Sequence, residues 1–171
     1  MKLKEHIPNT FTTFNLGLGV LAIIKSISGY YTVSAILILI AALMDRFDGE
    51  LARKLNAESE LGKQLDSLCD LVSFGVAPAI LMWSIDLNTL GIIGILITIY
   101  FIATGAYRLA RYNTMEFKGI YIGIPITITG SIVGLIALYA IKYYINIYLL
   151  AIMICLLSYS MVSTKIRIKK R

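Results

Sequence analysis

Long apolar stretches dominate the chain, and they limit its possible folds more than any other feature. Six apolar segments follow one another with only short polar stretches between them, at about residues 11–28, 31–44, 61–83, 90–109, 120–143 and 145–163. The second of them continues in a helical pattern to about Leu55. A helix of about 20 apolar residues crosses the hydrocarbon core of a bilayer. We therefore predict an all-α integral membrane protein with six transmembrane helices.

The composition excludes soluble and disordered classes of protein. Hydrophobic residues make up 58% of the 171 residues and charged residues 15%, whereas average soluble chains have about 45–50% and about 25%. So few charges could not cover the apolar surface of a soluble domain of this size. The net charge of +6 lies at the ends of the apolar segments. It therefore suits anionic lipid headgroups, and we expect no nucleic-acid partner.

The basic residues predict how the chain crosses the membrane. When successive connections are assigned to alternating sides, 14 of the 16 Lys and Arg residues share the side of the N-terminus, and only Lys25 and Lys142 lie opposite. Nine of the ten acidic residues share that side too, and only Asp86 does not. Because Lys and Arg favour the cytoplasmic side, we predict a multi-pass protein of the cell membrane. Both termini and the active site should face the cytoplasm.

No linker or low-complexity stretch divides the chain. We therefore predict a single membrane domain over residues 1–171. Residues 1–8 should form a short interfacial segment that ends at Pro8.

Four aspartates lie at the junction of the second and third apolar segments. Asp45 and Asp48 are three residues apart, and Asp66 and Asp70 are four apart. These spacings put each pair on one helix face. Because only the short polar turn at 56–60 joins the two helices, they should be antiparallel neighbours, and the four carboxylates can converge near the cytoplasmic boundary.

Converging carboxylates need compensation if they are to stay ionised. Mg²⁺ takes oxygen ligands, and two metals about 3.5–4 Å apart share carboxylates in phosphoryl-transfer sites. The alternative is a solvated helix end at which the acids pair with Arg46, Arg53 and Lys63. Asp66 and Asp70 argue against it, because acids inside membrane helices are costly and usually functional. We predict a two-metal site that holds Mg²⁺, with Mn²⁺ as the alternative.

Small residues follow the first aspartate pair. Gly49 and Ala52 leave no bulk on this helix face, so a phosphate or pyrophosphate can approach the backbone closely. Arg53 can donate two hydrogen bonds to phosphate oxygens, and Gly62 relieves crowding where the third segment starts. Simple helix packing is the alternative explanation for Gly49.

The pattern Asp45-x2-Asp48-Gly49-x2-Ala52-Arg53-x8-Gly62-x3-Asp66-x3-Asp70 resembles the signature of the CDP-alcohol phosphotransferase family. The flanking residues resemble the phosphatidylserine synthase branch of that family. They are residues 7–10, Thr13, Asn15, and residues 66–79, 108–113 and 123–125. The resemblance covers about residues 8–125. Hydropathy alone supports the last two helices.

The resemblance implies a six-helix membrane enzyme, usually a homodimer, in which an alcohol displaces CMP from a CDP-linked lipid. The branch implies transfer of a phosphatidyl or archaetidyl group to L-serine in phospholipid biosynthesis. The implied partners are CDP-diacylglycerol or CDP-archaeol, L-serine and membrane lipids. The resemblance further implies that Asp45, Asp48 and Asp66 bind the first metal, and that Asp45, Asp66 and Asp70 bind the second.

Asp70 also matches the family's candidate general base. A serine hydroxyl is a weak nucleophile that needs a base within reach, and Asp70 lies one turn deeper than Asp66. Family members often carry Thr where this chain has Ser59. The residues that match the family's CDP-binding positions are Gly49, Arg53, Ser59 and Gly62. Asn9 and Asn15 lie at the nucleotide end of the first helix and are further candidates for this site.

The carboxylate of serine needs a cation of its own. Arg108 and Arg111 end the fourth segment on the cytoplasmic side with Tyr112 beside them, so these three are candidate serine-binding residues. The alternative is that the arginines only anchor a helix end.

Three other functions compete with this interpretation. Another branch of the family would use inositol phosphate or glycerol phosphate as the acceptor. A small cation transporter would place its acids near the membrane midplane, whereas these cluster at one face beside Arg53. A structural membrane protein would leave the four acids unexplained.

Overall fold

A computed structural model describes residues 3–55, 59–114 and 120–169, and the side chains of residues 10–47, 59–114 and 122–166. A π-helical turn, Leu71–Val76, joins α3 to α4, and a 3₁₀ turn, Leu87–Leu90, precedes α5. Because α3, the π-helical turn and α4 continue one another, these residues form six helical rods. The α-helices are α1 Leu3–Ile27, α2 Tyr31–Leu55, α3 Glu60–Asp70, α4 Ala77–Ile85, α5 Ile92–Thr114, α6 Ile126–Lys142 and α7 Ile147–Val162.

The six rods match the six apolar segments, but the first begins earlier than predicted. Helix α1 starts at Leu3 and runs through Pro8 without interruption. Pro8 is the sixth residue of this helix, so it removes the hydrogen bond to the carbonyl of Lys4 close to the N-terminal end, and the helix continues past it. The helix therefore does not end at Pro8, and the interfacial position of residues 1–8 stays a prediction.

The fifth rod begins later than predicted. Ile120–Ile122 forms strand β1, which pairs antiparallel with strand β2, Arg167–Lys169. Gly123 then turns the chain with φ 79°, and Pro125 stands at the N-cap of α6. The prediction that this helix starts at residue 120 is wrong, because a positive φ and a following proline both interrupt a helix.

Several helices are long and apolar enough to cross a membrane. They are the stretches Thr10–Ile27, Glu60–Ile85 and Ile92–Thr114, while α6 and α7 are shorter and also apolar. Large apolar side chains lie on the outside of the bundle, among them Ile92, Leu43, Leu156 and Leu135. Soluble monomers rarely expose so much contiguous apolar surface, so the chain is an all-α membrane protein. The crossing of all six rods stays a prediction.

The turn between α1 and α2 makes them antiparallel. The amide of Tyr30 donates to the carbonyl of Lys25 at 2.8 Å, and that of Gly29 donates to Ser26 at 3.1 Å. Gly29 has φ 80°, so this is a glycine-based C-terminal cap that satisfies carbonyls at the end of α1. Helix α2 therefore returns along α1 and carries Asp45 back toward the end at which α1 begins.

The π-helical turn lies at the centre of the bundle. Phe74 is fully buried there, and two of the helices packed against the turn, α1 and α6, meet it through glycines. A Cβ atom on Gly130 of α6 would lie 2.6 Å from the carbonyl oxygen of Phe74, and one on Gly19 of α1 would lie 2.8 Å from the Cα of Ser73. The absence of side chains at these two positions lets α1 and α6 pack directly against the helix that carries Asp66 and Asp70.

Candidate active site

Three carboxylates converge between α2 and α3. One oxygen each from Asp45, Asp66 and Asp70 lies within 4.8 Å of the other two. Asp70 is buried, and the other two are half-buried. Asp66 and Asp70 are one turn apart on α3, and the antiparallel α2 supplies Asp45. The structure thus brings together three of the four predicted aspartates.

Four predicted site residues have side chains outside the described part of the chain. The backbone of Asp48, Gly49 and Arg53 continues α2, and that of Asn9 lies in α1. Their assignment to the metal and to the CDP moiety stays a prediction.

The three carboxylates fit a divalent cation. Three like charges this close repel one another when they are partly removed from water. Their donor atoms are all hard oxygens, the ligand type that Mg²⁺, Ca²⁺ and Mn²⁺ prefer. The shared position of the oxygens therefore suits a bound metal better than it suits three free carboxylates.

Ser59 and Gly62 build the start of the acid-bearing helix. The Oγ atom of Ser59 accepts a hydrogen bond from the amide of Gly62 at 3.0 Å, and Ser59 is the N-cap of α3. Such a cap satisfies one free amide of the first turn. The hydroxyl of Ser59 keeps its own proton to donate, so the predicted contact with CDP is compatible with the cap and stays a prediction.

Asn15 lies on α1 beside the turn that follows Asp70. Its backbone carbonyl accepts a hydrogen bond from the hydroxyl of Ser73 at 3.1 Å, and its side chain is fully buried. Within the described side chains, neither amide atom of Asn15 has a hydrogen-bond partner. An amide left in this state costs about 1–3 kcal/mol per group. Its predicted place at the nucleotide end of α1 stays a prediction.

Arg108 is buried, with an exposed fraction of 7%. It lies on α5 between Gly105, which faces the π-helical turn, and Asn113, which contacts α3. A Cβ atom on Gly105 would lie 4.0 Å from the side chain of Leu71, and Nδ2 of Asn113 donates to the hydroxyl of Ser67 at 2.9 Å. Arg108 therefore lies alongside the stretch of α3 that carries the aspartates.

Arg111 is held differently. Its Nη1 atom donates to the carbonyl of Val162 at 3.1 Å, and its Nη2 atom donates to the carbonyl of Ile122 at 3.1 Å. The guanidinium thus joins α5 to the end of α7 and to β1. Tyr112 is 36% exposed, and the ammonium of Lys63 lies 5.9 Å from the centre of its ring. Serine binding by Arg111 and Tyr112 stays a prediction.

Thr127 is a site residue that the sequence analysis missed. It is the second residue of α6, and its side chain is one of two side-chain partners of the Asp45 carboxylate, the other being Asp70. A threonine in an apolar helix is common and carries no signal by itself. The available signal is Pro125, because a proline favours a helix start and so places Thr127 in the first turn of α6.

Comparisons with known proteins agree with this arrangement. The family model described as CDP-alcohol phosphatidyltransferase matches residues 5–166. A CDP-diacylglycerol–serine O-phosphatidyltransferase of Bacillus subtilis is 42% identical over 161 residues, which are 93% of this chain and 88% of that protein. A protein of the same name from Methanocaldococcus jannaschii is 34% identical over 175 residues, covering 88% and 82% of the two chains.

An archaetidylserine synthase of Methanothermobacter thermautotrophicus is 38% identical over 125 residues. The match covers 71% of this chain and 53% of that protein, so this chain spans about half the length of that relative. The family model extends over the acid cluster and over all six rods. The chain therefore belongs to the CDP-alcohol phosphatidyltransferase family.

Proposed function

We propose that this protein transfers the phosphatidyl or archaetidyl group of a CDP-linked lipid to L-serine and releases CMP. The observation that carries the proposal is the cluster of Asp45, Asp66 and Asp70 carboxylates within 4.8 Å of one another. Relatives named for serine transfer support serine as the acceptor. Because one relative is named for an archaetidyl lipid, both CDP-diacylglycerol and CDP-archaeol are candidate donors.

The family depends on divalent metal ions, and we propose Mg²⁺ at this site, with Mn²⁺ as the alternative. Asp45, Asp66 and Asp70 would hold the metal, with Asp48 as the predicted further ligand. When bound, a divalent metal offsets the charge of the pyrophosphate and of the departing CMP. The clustering of hard oxygen donors supports this choice.

Asp70 is the proposed general base. The serine hydroxyl loses its proton to the Asp70 carboxylate as its oxygen bonds to the lipid-side phosphorus. The bond between that phosphorus and the oxygen that bridges to CMP breaks, and CMP leaves with the bonding electrons. Burial of Asp70 limits the access of water to this base.

The remaining residues are proposed to hold the substrates. Gly49, Arg53, Ser59, Gly62, Asn9 and Asn15 are the candidates for the CDP moiety. Arg108 is the leading candidate for the serine carboxylate, because a buried guanidinium beside α3 suits a desolvated anion. The lipid tails would stay against the apolar outside of the bundle while the headgroup reacts at the proposed cytoplasmic end.

The test is a transfer assay with the purified full-length protein. CDP-diacylglycerol, Mg²⁺ and radiolabelled serine should give labelled phosphatidylserine together with an equal amount of CMP. Parallel reactions replace the lipid by CDP-archaeol and replace serine by inositol phosphate or glycerol phosphate. Release of CMP with one of these phosphates, and none with serine, would assign the chain to another branch of the family.

A further inference from the structure

The segment that leads into α6 is held from two sides. Arg111 donates to the carbonyl of Ile122 and to that of Val162, both at 3.1 Å. The amide of Gly123 donates to Ile166 at 2.9 Å, and the amide of Ile124 donates to Ser160 at 3.1 Å. Three of these hydrogen bonds involve residues 122–124, and the fourth joins Arg111 to the end of α7, so the segment is held against α7 and the chain that follows it.

Gly123 lets the segment 122–124 approach the backbone at the end of α7 closely. A Cβ atom at Gly123 would lie 2.8 Å from the carbonyl carbon of Met161 and 3.2 Å from the carbonyl oxygen of Ser160. The φ of 79° at Gly123 directs the chain away from α7, and Pro125 then begins α6. The position of the first turn of α6 thus depends on how this segment is held.

The first turn of α6 reaches the site. The side chain of Ile126 is buried between α5 and the π-helical turn, 2.7 Å from the Cβ position of Gly105 and 3.4 Å from that of Gly75. The next residue, Thr127, is a hydrogen-bonding partner of Asp45. A hydroxyl that donates to a carboxylate limits its rotation and so orients its oxygens.

We propose that Arg111 is a positioning residue, which holds the start of α6 so that the hydroxyl of Thr127 orients Asp45 for metal binding. The planar guanidinium has two terminal nitrogens that reach both carbonyls together, whereas the single ammonium of a lysine has no such fork. In this proposal Arg111 acts on the metal site through the backbone, in place of the serine binding that the sequence predicted. The inference rests on the proposed function only in expecting a divalent metal at the three aspartates.

The experiment compares the full-length wild type with Arg111→Lys, Thr127→Val, Thr127→Ser and the double variant Arg111→Lys/Thr127→Val. Mn²⁺ binding is measured by electron paramagnetic resonance without any lipid or serine, so the result does not depend on the acceptor. The KM for serine is then measured at saturating metal. Thr98→Val is the matched control, because Thr98 is also a buried helical threonine, and its hydroxyl donates to the carbonyl of Gly94 at 2.8 Å.

We expect Thr127→Val and Arg111→Lys each to weaken Mn²⁺ binding by about 10- to 100-fold, the range seen when a partner of a metal ligand is lost. Thr127→Ser should restore binding, and Thr98→Val should leave it unchanged. The double variant should bind Mn²⁺ about as well as the weaker single variant, because both changes interrupt one chain of contacts. The KM for serine should not change in Arg111→Lys.

Two results would overturn the proposal. Additive losses in the double variant would show that Arg111 and Thr127 act separately. A raised KM for serine with unchanged Mn²⁺ binding in Arg111→Lys would make Arg111 a serine-binding residue. If Arg111→Lys does not fold, Arg111→Gln is measured in its place, because its amide keeps a donor for one of the two carbonyls. If serine proves not to be the acceptor, the Mn²⁺ measurements still decide the role of Arg111.

Discussion

A carboxylate oxygen of Asp45 on α2 lies within 4.8 Å of a carboxylate oxygen of Asp70 on α3. Two unit charges at that separation repel by about 3.5 kcal/mol at an effective dielectric constant of about 20. Asp66 adds a third carboxylate at the same separation. The fold holds these groups together through helix packing, and the proposed cation would offset the repulsion.

Metal binding should stabilise the fold. A metal present at 100 times its dissociation constant adds about 2.7 kcal/mol to the free energy of unfolding, because it binds the folded site and not the unfolded chain. We expect Mg²⁺ or Mn²⁺ to raise the Tm of the chelator-treated protein. The measurement is a thermal melt in detergent with and without metal. An unchanged Tm over a wide range of metal concentration would contradict a metal site at these residues.

Loss of Asp66 should remove most of the activity while the protein stays folded. Asp66→Asn replaces a charged ligand by a neutral amide of the same shape. Losing a residue that only hydrogen-bonds to a metal ligand costs up to about 100-fold in activity, so we expect the loss of a ligand itself to lower the rate of transfer by at least about 100-fold. The rise of Tm with metal should shrink in the same variant. Glu60→Gln is the control, because Glu60 is an exposed acid in the first turn of the same helix. Normal turnover by Asp66→Asn would exclude Asp66 as a metal ligand.

Replacing Arg108 should change the KM for serine more than the KM for the lipid donor. Removing a charge-assisted bond of about 1.5–3 kcal/mol corresponds to roughly a 10- to 150-fold effect. Arg108→Ala should therefore raise the KM for serine by about that factor and raise the KM for the CDP-lipid less. Steady-state kinetics with each substrate varied in turn measure both constants. Lys165→Ala, at an exposed basic residue, is the control. Equal changes in both KM values would assign Arg108 to the lipid phosphate or to folding.

Replacing either of two glycines on α1 by alanine should have different effects on the free energy of unfolding. A Cβ atom at Gly19 would lie 2.8 Å from the Cα of Ser73, whereas nothing lies within 4 Å of the Cβ position of Gly17. Gly19→Ala should lower the free energy of unfolding by about 1–3 kcal/mol, as overpacking usually does. Gly17→Ala should leave it unchanged or raise it, since alanine favours a helix. Thermal melts of the two variants compare them directly, and equal stability would show that α1 does not pack this closely.

Both termini should lie in the cytoplasm. The prediction depends on the 14 basic residues that share one side of the alternating arrangement, against two on the other. Fusions of a reporter that is active only in the cytoplasm, at each end of the full chain, would test it. Activity at one end and none at the other would mean that an odd number of rods crosses the membrane.

The sequence alone predicted the helical rods and most of the carboxylate cluster. Apolar segments of about 20 residues leave the backbone little choice but a helix in a membrane. The spacing of Asp66 and Asp70 is a property of one helix, and the short turn at 56–60 allowed only an antiparallel neighbour for Asp45. These features depend on residues close together along the chain, and local geometry was therefore enough to predict them.

The tertiary structure alone decided the partners of Arg111 and Thr127. Arg111 bonds to Val162, and Thr127 reaches Asp45, across distances along the chain that no periodicity encodes. Strand β1 pairs with β2 for the same reason, because its partner follows α7. An arginine at a helix end looks the same in the sequence whether it binds a substrate or a carbonyl. Which of these it does depends on the backbone that packing brings beside it.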